Sequence, residues 1–575
     1  MILFGSLKLF FGGMMVKKIH NVLLPLLLVF CVMDSASANV SLKNGNFFMT
    51  YTDIVYPGGF EPKIERVYNS KTSFHGIFGW GWGTEYEAYL SVSADGSVVV
   101  HEYGGGADNR FNPEKFSSEE LGKAADTIAE SAQKAGVIGS ADQLAKYKEK
   151  LRSDASFRND EWEKLIHQGR VNGRQINDGA RLQSNRFSYQ YITKVSGGYV
   201  RTFDSGKIEK FNESGKLVRL SDKNNNYIEI VYRKDGLIEK ILDNFNRKMF
   251  FTFNSQKLVE KIEGENGKKA EYKYNSLAEL VSSRDVDGNM YTYKYDSKRR
   301  HNMVEIGYSD KTTMVTSYYD IDKKENVKSV KDRDGTLTEY IYDTDKSDRG
   351  HFTVATKMKD NSGKQISLSK YEYFIKYKQN GEEWTHKMIS TLDGDRTETV
   401  YNELSGLPES IKHNGEETTF KYDPKGRVVR KATSNDVTEL TYDQKASKVS
   451  KVVKYPINAS DKQKIWSEFK YDQKGNLVYA KNSDKKGVKL VYDVNGRIST
   501  LVDQNNRVIK FKYNENSKPI EITDPSLGSI TVTYNNSGEI KKVDSSAGRK
   551  IAVQVTSAFQ NLLDIIRPAG VSLSF

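Results

Sequence analysis

Residues 490–515, "LVYDVNGRISTLVDQNNRVIKFKYNE", alternate between short β-rich runs and turn-forming runs. Ile509, Phe511 and Tyr513 occupy one face of a predicted strand, and Val508, Lys510 and Lys512 occupy the other, because side chains alternate across a strand. "YDVNGR" and "DQNN" have the Asp, Asn and Gly content of tight turns. The segment therefore predicts a β-hairpin of about 21 residues.

The same pattern recurs along most of the chain. An aromatic residue, usually followed by Asp or Asn, marks each repeat, and more than half of the fourteen intervals are 21 residues long. The aromatic positions are Phe211, Tyr232, Phe253, Tyr274, Tyr295, Tyr319, Tyr342, Tyr373, Tyr401, Tyr422, Tyr442, Tyr471, Tyr492, Tyr513 and Tyr534. Successive hairpins that pair edge to edge predict one long antiparallel sheet, with the Asp or Asn hydrogen-bonded to turn backbone.

Two segments interrupt the β pattern. Residues 116–170 have helical periodicity, with Leu121, Ala125 and Ile128 on one face. Capping-box spacings at Ser117, Ser140 and Asp160 predict three helices, and the segment is either an insertion packed against the repeats or a docking module. Residues 1–38 resemble a signal peptide: Lys17 and Lys18 precede an apolar run that ends in Ala-Ser-Ala. We expect an exported protein (periplasmic, cell-surface or secreted) that starts at Asn39, the alternative being an uncleaved anchor.

Composition narrows the class of protein. The chain has 575 residues, 11% aromatics and a mean hydropathy of −0.64, which favour a thin, well-solvated sheet over disorder. The single cysteine, Cys31, lies in the predicted signal, so the mature chain has no disulfide. Removing three lysines and Asp34 with the signal lowers the formal charge from +12 to +10. This moderate positive charge favours anionic partners without specifying one.

The repeats "YDPKGRVVRKATSNDVTELTYD", "YDQKGNLVYA" and "YDVNGRIST" resemble the YD repeats of RHS (rearrangement hotspot) and teneurin proteins. The defining pairs are Tyr422-Asp423, Tyr442-Asp443, Tyr471-Asp472 and Tyr492-Asp493. Residues 44–70 and 76–90, with a Pro-Gly-Gly turn and a Gly-Trp-Gly close, resemble the domain that opens the repeats of bacterial RHS proteins. The resemblance implies a mainly β fold, a spiralling hairpin sheet that forms a hollow and partial shell. We expect a short form that lacks the self-cleavage motif and the toxin domain of large members.

The expected organisation is a signal peptide (1–38), an RHS-type N-terminal β domain (39–115), a helical insertion (116–170), a β linker (171–199), the YD-repeat array (200–545) and a C-terminal cap (546–575). Thirty strands closed into one ring would leave an inner radius of roughly 13 Å. Such a shell could hold a peptide, a glycan chain or a plug, but no folded domain of about 100 residues unless it assembled with another chain.

The sequence predicts few residues with a chemical function. No metal-ligand spacing, phosphate loop or nucleophile motif is present, so we expect no catalytic residues, no metal, no cofactor and no enzymatic activity. The low-specificity ligand candidates are two tryptophans and the lysines of five aromatic–Lys–aromatic triplets: Trp80, Trp82, Lys273, Lys294, Lys421, Lys470 and Lys512. The tryptophans could stack on a sugar or fill the core of the N-terminal domain. The lysines could form ladders for an anionic polymer or a solvated face.

Three functions follow as hypotheses. The first is a non-enzymatic exported shell that binds carbohydrate or another cell-surface partner. The second is a shell component of a toxin or effector system that holds a partner protein or a small cargo, with a further protein contact at the helical insertion. The third and most distant is an enzyme acting on cell-wall polysaccharide. We expect no specific nucleic-acid partner and no transmembrane span in the mature chain.

Overall fold

The computed structural model describes residues 37–546, apart from 57–59, 94–95, 104–105, 114–117, 169, 171–175, 185–189, 299, 322–323, 345–346, 349, 378–382, 404, 458–463, 516–517, 527 and 535–539. Most of the predicted signal peptide and the predicted C-terminal cap after Ser546 lie outside the described residues.

The chain begins with a small β unit of its own. Its strands are β1 (Ser37–Ser41), β2 (Asn46–Val55), β3 (Lys63–Asn69), β4 (His75–Gly76), β5 (Gly79–Trp80) and β6 (Trp82–Gly83). β1, β2, β3 and β6 form a four-stranded sheet in that order, and β4 pairs with β5. A 3₁₀ turn, Glu85–Glu87, follows. We call residues 37–88 the N-terminal unit.

The second sheet begins before the YD repeats and is interrupted by the helices. Its first strands are β7 (Tyr89–Val92), β8 (Val98–Glu102), β9 (Ala107–Pro113), β10 (Arg181–Ser184), β11 (Gln190–Val195) and β12 (Gly198–Phe203). Between β9 and β10 lie α1 (Ser118–Lys134), α2 (Ala141–Ser153) and α3 (Ala155–His167).

The predicted helices are present, with one correction to their starts. Ser140 caps α2 by accepting a hydrogen bond from Gln143 N at 3.2 Å, as its spacing predicts. The predicted start at Asp160 is wrong: α3 begins at Ala155, and Asp154 accepts the N–H of Phe157 at 2.9 Å. Asp154 comes directly after α2, so the chain re-enters a helix without a linker. The helices pack around their own core, whose buried residues are Ala124, Ala125, Ile128, Ala129, Leu151, Trp162 and Leu165.

Thirty further strands complete the second sheet. They are β13 (Ile208–Asn212), β14 (Leu217–Ser221), β15 (Tyr227–Tyr232), β16 (Ile238–Asp243), β17 (Lys248–Phe253), β18 (Val259–Gly264), β19 (Lys269–Tyr274), β20 (Leu280–Arg284), β21 (Met290–Tyr295), β22 (Met303–Gly307), β23 (Thr313–Tyr318), β24 (Val327–Lys331), β25 (Leu337–Thr344), β26 (His351–Lys359) and β27 (Gln365–Tyr377). The remaining strands are β28 (Glu383–Leu392), β29 (Asp395–Tyr401), β30 (Pro408–His413), β31 (Glu416–Tyr422), β32 (Val428–Ala432), β33 (Asp436–Tyr442), β34 (Val449–Pro456), β35 (Ile465–Tyr471), β36 (Leu477–Asn482), β37 (Gly487–Tyr492), β38 (Ile498–Asp503), β39 (Val508–Tyr513), β40 (Pro519–Asp524), β41 (Gly528–Tyr534) and β42 (Ile540–Ser545).

Each strand from β7 to β42 pairs antiparallel with its neighbours along the chain, apart from the helical interruption after β9. The result is one long sheet of 36 strands that is not closed, which confirms the predicted hairpin array. One backbone hydrogen bond, from Leu90 N to Gly215 O at 2.8 Å, joins the free edge of β7 to the β13–β14 turn.

The Tyr-Asp pair has a repeated structural role. At the end of a strand the ladder shifts register, for example between Val491 and Tyr492, and the tyrosine hydroxyl donates back to a carbonyl of the previous hairpin. Tyr492 reaches Leu477 O at 2.8 Å, and Tyr513 reaches Ile498 O at 2.6 Å. Asp493 Oδ1 accepts the N–H groups of Asn495 and Arg497, which fixes the turn. The pair therefore links each hairpin to its predecessor, and its carboxylate works as a turn former.

One repeat position was misassigned from the sequence. The sequence pattern selects Tyr319 because Asp320 follows it. In the structure the register shift lies between Ser317 and Tyr318, and Tyr318 donates to Met303 O at 3.0 Å. Tyr319 instead donates to Tyr340 O, so the turn after β23 carries one extra residue.

The sheet winds on itself as a spiral. The β14–β15 turn contacts turns some 250 positions later: Lys223 Nζ donates to Gly475 O at 2.7 Å, and Asn476 Nδ2 donates to Asn224 Oδ1 at 3.0 Å. Gly496, with φ of +75°, leaves room for the same Asn224 side chain. One coil therefore runs from β15 to β35, which is 21 strands and about 100 Å around at 4.8 Å per strand.

This coil is smaller than the single ring of thirty strands that we predicted. A circumference of about 100 Å gives a diameter of about 32 Å and, after the side-chain layer, an inner radius of only about 6 Å. The sequence estimate was wrong because it placed all the hairpins in one turn. The interior therefore suits a small plug better than a folded domain of about 100 residues.

Candidate functional site

The N-terminal unit packs on the inner face of the first coil. Backbone hydrogen bonds tie it to successive hairpins: Val259 N donates to Ile77 O at 2.8 Å, Val286 N to Asp53 O at 3.0 Å, and Val327 N to Gly45 O at 2.9 Å. The hydrophobic core here contains 37 buried residues drawn from the unit and from the sheet as far as Val327. The unit thus fills the shell at β18–β24.

A buried ion pair lies at the centre of this junction. Arg66 and Asp53, both almost fully buried, form a two-pronged hydrogen bond, with Arg66 Nη2 at 2.9 Å from Asp53 Oδ1. The sheet completes the network, since Tyr272 donates to Asp53 Oδ2 at 2.8 Å and Arg66 donates to Ser283 Oγ at 3.0 Å. Burial alone would lower the pKa of Arg66, but the adjacent Asp53 carboxylate raises this pKa well above its usual value.

Aromatic rings surround this guanidinium. Its central carbon lies 4.7 Å from the centroid of the Trp82 ring and 5.2 Å from that of Tyr272. Such cation–π contacts stabilise a charge that has left water. Arg66 was not predicted from the sequence, although its place between Ile64 and Tyr68 on one face of the strand could have signalled a buried partner.

A second acid, which is half-buried, orders the loop that joins the N-terminal unit to the sheet. Glu87 Oε1 accepts the N–H of Ile77 at 2.7 Å, and Oε2 accepts that of Thr84 at 3.2 Å. Burial raises the pKa of Glu87 to about 8, against the opposite effect of these two hydrogen bonds. The docking of Ile77 on β18 therefore depends on a carboxyl group that titrates near neutral pH.

The two candidate tryptophans occupy different environments. Trp82 has no exposed area, and its Nε1 donates to the Tyr295 hydroxyl oxygen at 3.0 Å, so it fills the core and offers no face to a sugar. Trp80 is half-buried and stacks on His301, with ring centroids 4.5 Å apart and planes 6° apart. Stacking of a sugar on these tryptophans stays a prediction, and of the two only Trp80 is exposed enough for it.

The five candidate lysines are all exposed on the outer face, opposite the buried aromatics, as strand alternation predicts. Two of them are ion-paired: Lys294 with Glu305 at 2.9 Å and Lys512 with Glu521 at 2.7 Å. Lys470 lies 5.9 Å from the ring centroid of Tyr479, while Lys273 and Lys421 face Ser282 and Arg430 across the ladder.

The predicted lysine ladder does not form in register. Lys273 pairs with Ser282, which in turn pairs with Thr292, so Lys294 lies two residues further along its strand. Two strands and two residues separate the lysines by about 12 Å. The stagger between hairpins, which the sequence does not show, therefore offsets Lys294 from Lys273 instead of aligning the two lysines.

The inner face of the later strands differs from the part of the first coil that the N-terminal unit covers. Two small clusters line it, each with six buried residues: Val428, Leu440, Val452, Phe469, Ala480 and Val488, and then Leu490, Leu501, Ile509, Ile522, Ile530 and Val532. Half-buried rings such as Phe420, Tyr422 and Phe511 border them. Every member comes from the sheet itself, so within the described residues this face is a single apolar layer.

Comparison with known proteins agrees with this architecture. Residues 192–572 match the teneurin YD-shell family, and residues 37–109 match a domain of unknown function, DUF6531. The first match covers well over half of the sequence, so the chain belongs to the teneurin YD-shell family and is an RHS/YD-repeat protein. No curated protein is similar enough to count as a match.

Among solved structures, the chain is similar to the toxin complexes that contain TcdB2-TccC3. The crystal structure of TcdB2-TccC3-TEV has 10% identity and a TM-score of 0.42, over 90% of this chain and 28% of that one. The Photorhabdus luminescens Tc holotoxin pore has 11% identity and a TM-score of 0.35, over 87% of this chain and 29% of that one. The chain thus spans less than a third of the length of these structures.

None of the helices in the described part of the chain is long and apolar enough to cross a membrane.

Proposed function

We propose that this chain is an exported YD-shell that holds a polypeptide, a partner protein or a small cargo, against the inner face of β30–β41. The observation that supports it is the single-layer apolar face formed by the two clusters around Val452 and Leu501. The equivalent face of the earlier strands, as far as β24, is covered by the N-terminal unit, whose packing shows how this kind of surface binds β structure.

The chemistry of the later inner face favours a polypeptide. Tyrosine hydroxyls there, such as Tyr422, Tyr492 and Tyr534, already donate to carbonyls of the preceding hairpin. Their ring faces and the flanking aliphatic side chains remain for packing, which suits apolar side chains better than hydroxyl-rich sugars. The narrow interior favours an extended chain.

Residues 1–38 support export as part of the proposal. Their Lys-Lys start, apolar run and Ala-Ser-Ala end have the form of a cleaved signal. An exported shell would keep its apolar inner face away from cytoplasmic chaperones.

Site-specific photo-crosslinking tests the inner-face proposal. A benzoylphenylalanine at position 511 would face inward, whereas one at the neighbouring position 510 would face outward, because Phe511 and Lys510 lie on opposite faces of β39. With reduced, carboxymethylated α-lactalbumin as the probe polypeptide, we expect intermolecular crosslinks from position 511 and almost none from position 510.

Two results would contradict it. Crosslinks from position 511 only to residues 546–575 would show that the predicted C-terminal cap is the occupant. Equal crosslinking from both positions would show non-specific contact.

A second candidate function, binding of an acidic carbohydrate, rests on an aromatic–lysine patch of the outer face. Tyr479 lies between Lys470 and Lys489 across the ladder, and Lys481 Nζ lies 5.2 Å from the ring centroid of Trp466. Flat rings flanked by ammonium groups could stack on sugars while pairing with carboxylates or sulfates.

Heparin and polygalacturonate at low and high salt would test this second function. Binding at 0.3 M salt that is lost in Trp466→Ala would support it. Binding that disappears with salt and is unchanged in Trp466→Ala would reduce the patch to general electrostatic attraction.

A further inference from the structure

Three polar side chains on the first strands of the long sheet form one chain of hydrogen bonds. Ser91 lies on β7, His101 on β8 and Asp108 on β9. Ser91 Oγ is 2.9 Å from His101 Nε2, and His101 Nδ1 is 2.8 Å from Asp108 Oδ1. All three lie on the outer face, since the intervening Val100 points into the core with no exposed area.

The bonding pattern assigns a role to each group. An ionised carboxylate can only accept a hydrogen bond, so the bond to Asp108 places the imidazole proton on Nδ1. Nε2 then carries the lone pair and accepts the hydroxyl proton of Ser91. A hydroxyl bonded to a neutral imidazole whose other nitrogen is held by a carboxylate is the arrangement that activates serine nucleophiles.

We propose that Ser91, His101 and Asp108 form an acyl-transfer site that hydrolyses esters of short acyl groups. Ser91 is the nucleophile, His101 is the general base and then the general acid, and Asp108 is the positioning residue. The sequence analysis predicted no catalytic residue because the three lie on separate strands and match no motif. The site is independent of whatever the shell holds.

The surroundings of His101 support this role. The Tyr89 ring stacks on the imidazole, with centroids 4.3 Å apart and planes 19° apart, which fixes the orientation of the imidazole. Glu163 of α3 approaches, with Oε1 3.7 Å from Nε2. When Nε2 takes up a proton, the imidazolium therefore faces two carboxylates, those of Asp108 and Glu163, which stabilise the positive charge.

The same face carries a cationic side chain, which can stabilise the negative charge that develops on the substrate. Ser91 pairs with Val99, and Val99 pairs with Arg110, so the three residues form one row across β7, β8 and β9. The Arg110 guanidinium, oriented by a 3.1 Å hydrogen bond to Asn112 Oδ1, is half-buried on this row. It is our candidate for stabilising the oxyanion.

The reaction balances with water as the only co-reactant. Ser91 Oγ adds to the ester carbonyl carbon while its proton passes to Nε2 of His101. The adduct collapses by breaking the carbon–oxygen bond to the alcohol, which leaves with that proton. A water molecule then adds to the acyl carbon, again through Nε2, and releases the carboxylic acid and free Ser91.

The substrate class follows from the setting. The site lies on a sheet face beside α3, flanked by Arg110, Glu163 and the Tyr89 ring, and its aliphatic neighbour Val99 is almost fully buried. Such neighbours suit a small acyl group on a polar alcohol better than a long acyl chain.

Covalent labelling of the full mature chain with a fluorophosphonate probe is the direct test. We expect a phosphonyl adduct on the peptide that contains residue 91 and at least a tenfold loss of labelling in Ser91→Ala. Ser499→Ala is the matched control, because Ser499 is a strand serine whose hydroxyl donates to Val491 O instead of to a histidine. We expect its labelling to stay at the wild-type level.

The variant Asp108→Asn distinguishes a role of Asp108 in positioning His101 from a role in folding. This substitution should lower the maximal rate of labelling at least tenfold and leave the half-saturating probe concentration unchanged, because Asp108 touches His101 and not the probe. The same order of rates is expected for p-nitrophenyl acetate hydrolysis. Wild-type chain that takes up no probe at millimolar concentration, or equal labelling of wild type and Ser91→Ala, would overturn the proposal.

Discussion

The early and the later hairpins of the long sheet are built from the same repeat but bury their inner faces differently. In the covered region, β7–β24 with the N-terminal unit, two layers share a core of 37 buried residues and the Arg66–Asp53 ion pair. In the single-layer region, β30–β41, each cluster has six buried residues from one sheet. The difference shows that the hairpin repeat supplies a surface, and that a second layer decides whether the surface becomes a core.

The largest contrast should come from the buried ion pair. Arg66→Met leaves Asp53 buried without its cation, which we expect to cost about 3–5 kcal/mol. The matched change Arg497→Met breaks the partly exposed pair with Asp493 and should cost about 1 kcal/mol or less. Urea unfolding followed by tryptophan fluorescence measures both, since Trp80 and Trp82 lie in the covered region and Trp466 lies in the single-layer region. Equal losses would mean that the buried pair contributes no more to stability than the partly exposed pair.

A leucine in each region gives the next comparison. Leu280 and Leu501 both have no exposed area, but only Leu280 packs in the two-layer core. We expect Leu280→Ala to cost about 4 kcal/mol and Leu501→Ala about 2–3 kcal/mol, because a single layer can relax around the missing atoms. Unfolding midpoints of the two variants at the same pH measure the difference. A greater loss for Leu501→Ala would indicate that another layer covers the later strands.

Glu87 should make the covered region sensitive to pH. Its folded-state pKa of about 8 lies above the value of an exposed glutamate, so the unfolded chain ionises first as pH rises. The stabilising effect is complete below the unfolded-state pKa, and stability should fall between about pH 4.5 and pH 8. Glu87→Gln should remove this dependence, as measured by urea midpoints at pH 5 and pH 8.

Glu521 serves as a control, because its pKa is shifted in the direction opposite to that of Glu87. The hydrogen bond from Lys512 holds the pKa of Glu521 below its usual value, so its small contribution is present at neutral pH and lost on acidification. Glu521→Gln should leave the fall in stability toward pH 8 unchanged. If it abolished that fall, the assignment to Glu87 would fail.

The smallest effect concerns the repeat tyrosines. Tyr492→Phe removes one hydroxyl bond to Leu477 O and should cost about 1 kcal/mol. Tyr295→Phe should cost about 2 kcal/mol, because Tyr295 both donates to Leu280 O and accepts from Trp82 Nε1, which would be left buried without an acceptor. Thermal unfolding midpoints, read separately at the two regions, would measure this difference. Equal shifts would show that the Trp82 bond adds no stability.

The candidate surfaces were only partly predictable. Outward lysines and inward aromatics follow from strand alternation, and Lys470 and Lys512 are exposed as that rule requires. The stagger between hairpins, which scatters the lysines, depends on the bulge before each repeat tyrosine. The Ser91–His101–Asp108 chain arises only when three strands align in one register, and no local pattern encodes it.

The sequence by itself determined the hairpin repeat, the antiparallel sheet, the turn role of residues such as Asp493 and the family. These features depend on side-chain alternation and on hydrogen bonds within a few residues, which a local pattern contains. Only the tertiary structure decided the coil of 21 strands, the burial of Arg66 and the contrast between the covered and single-layer regions. Those depend on contacts between residues about 200 or more positions apart, such as Arg66 with Ser283 and Asn224 with Asn476. Such contacts are set by the accumulated twist and stagger of many strands, which no single repeat specifies.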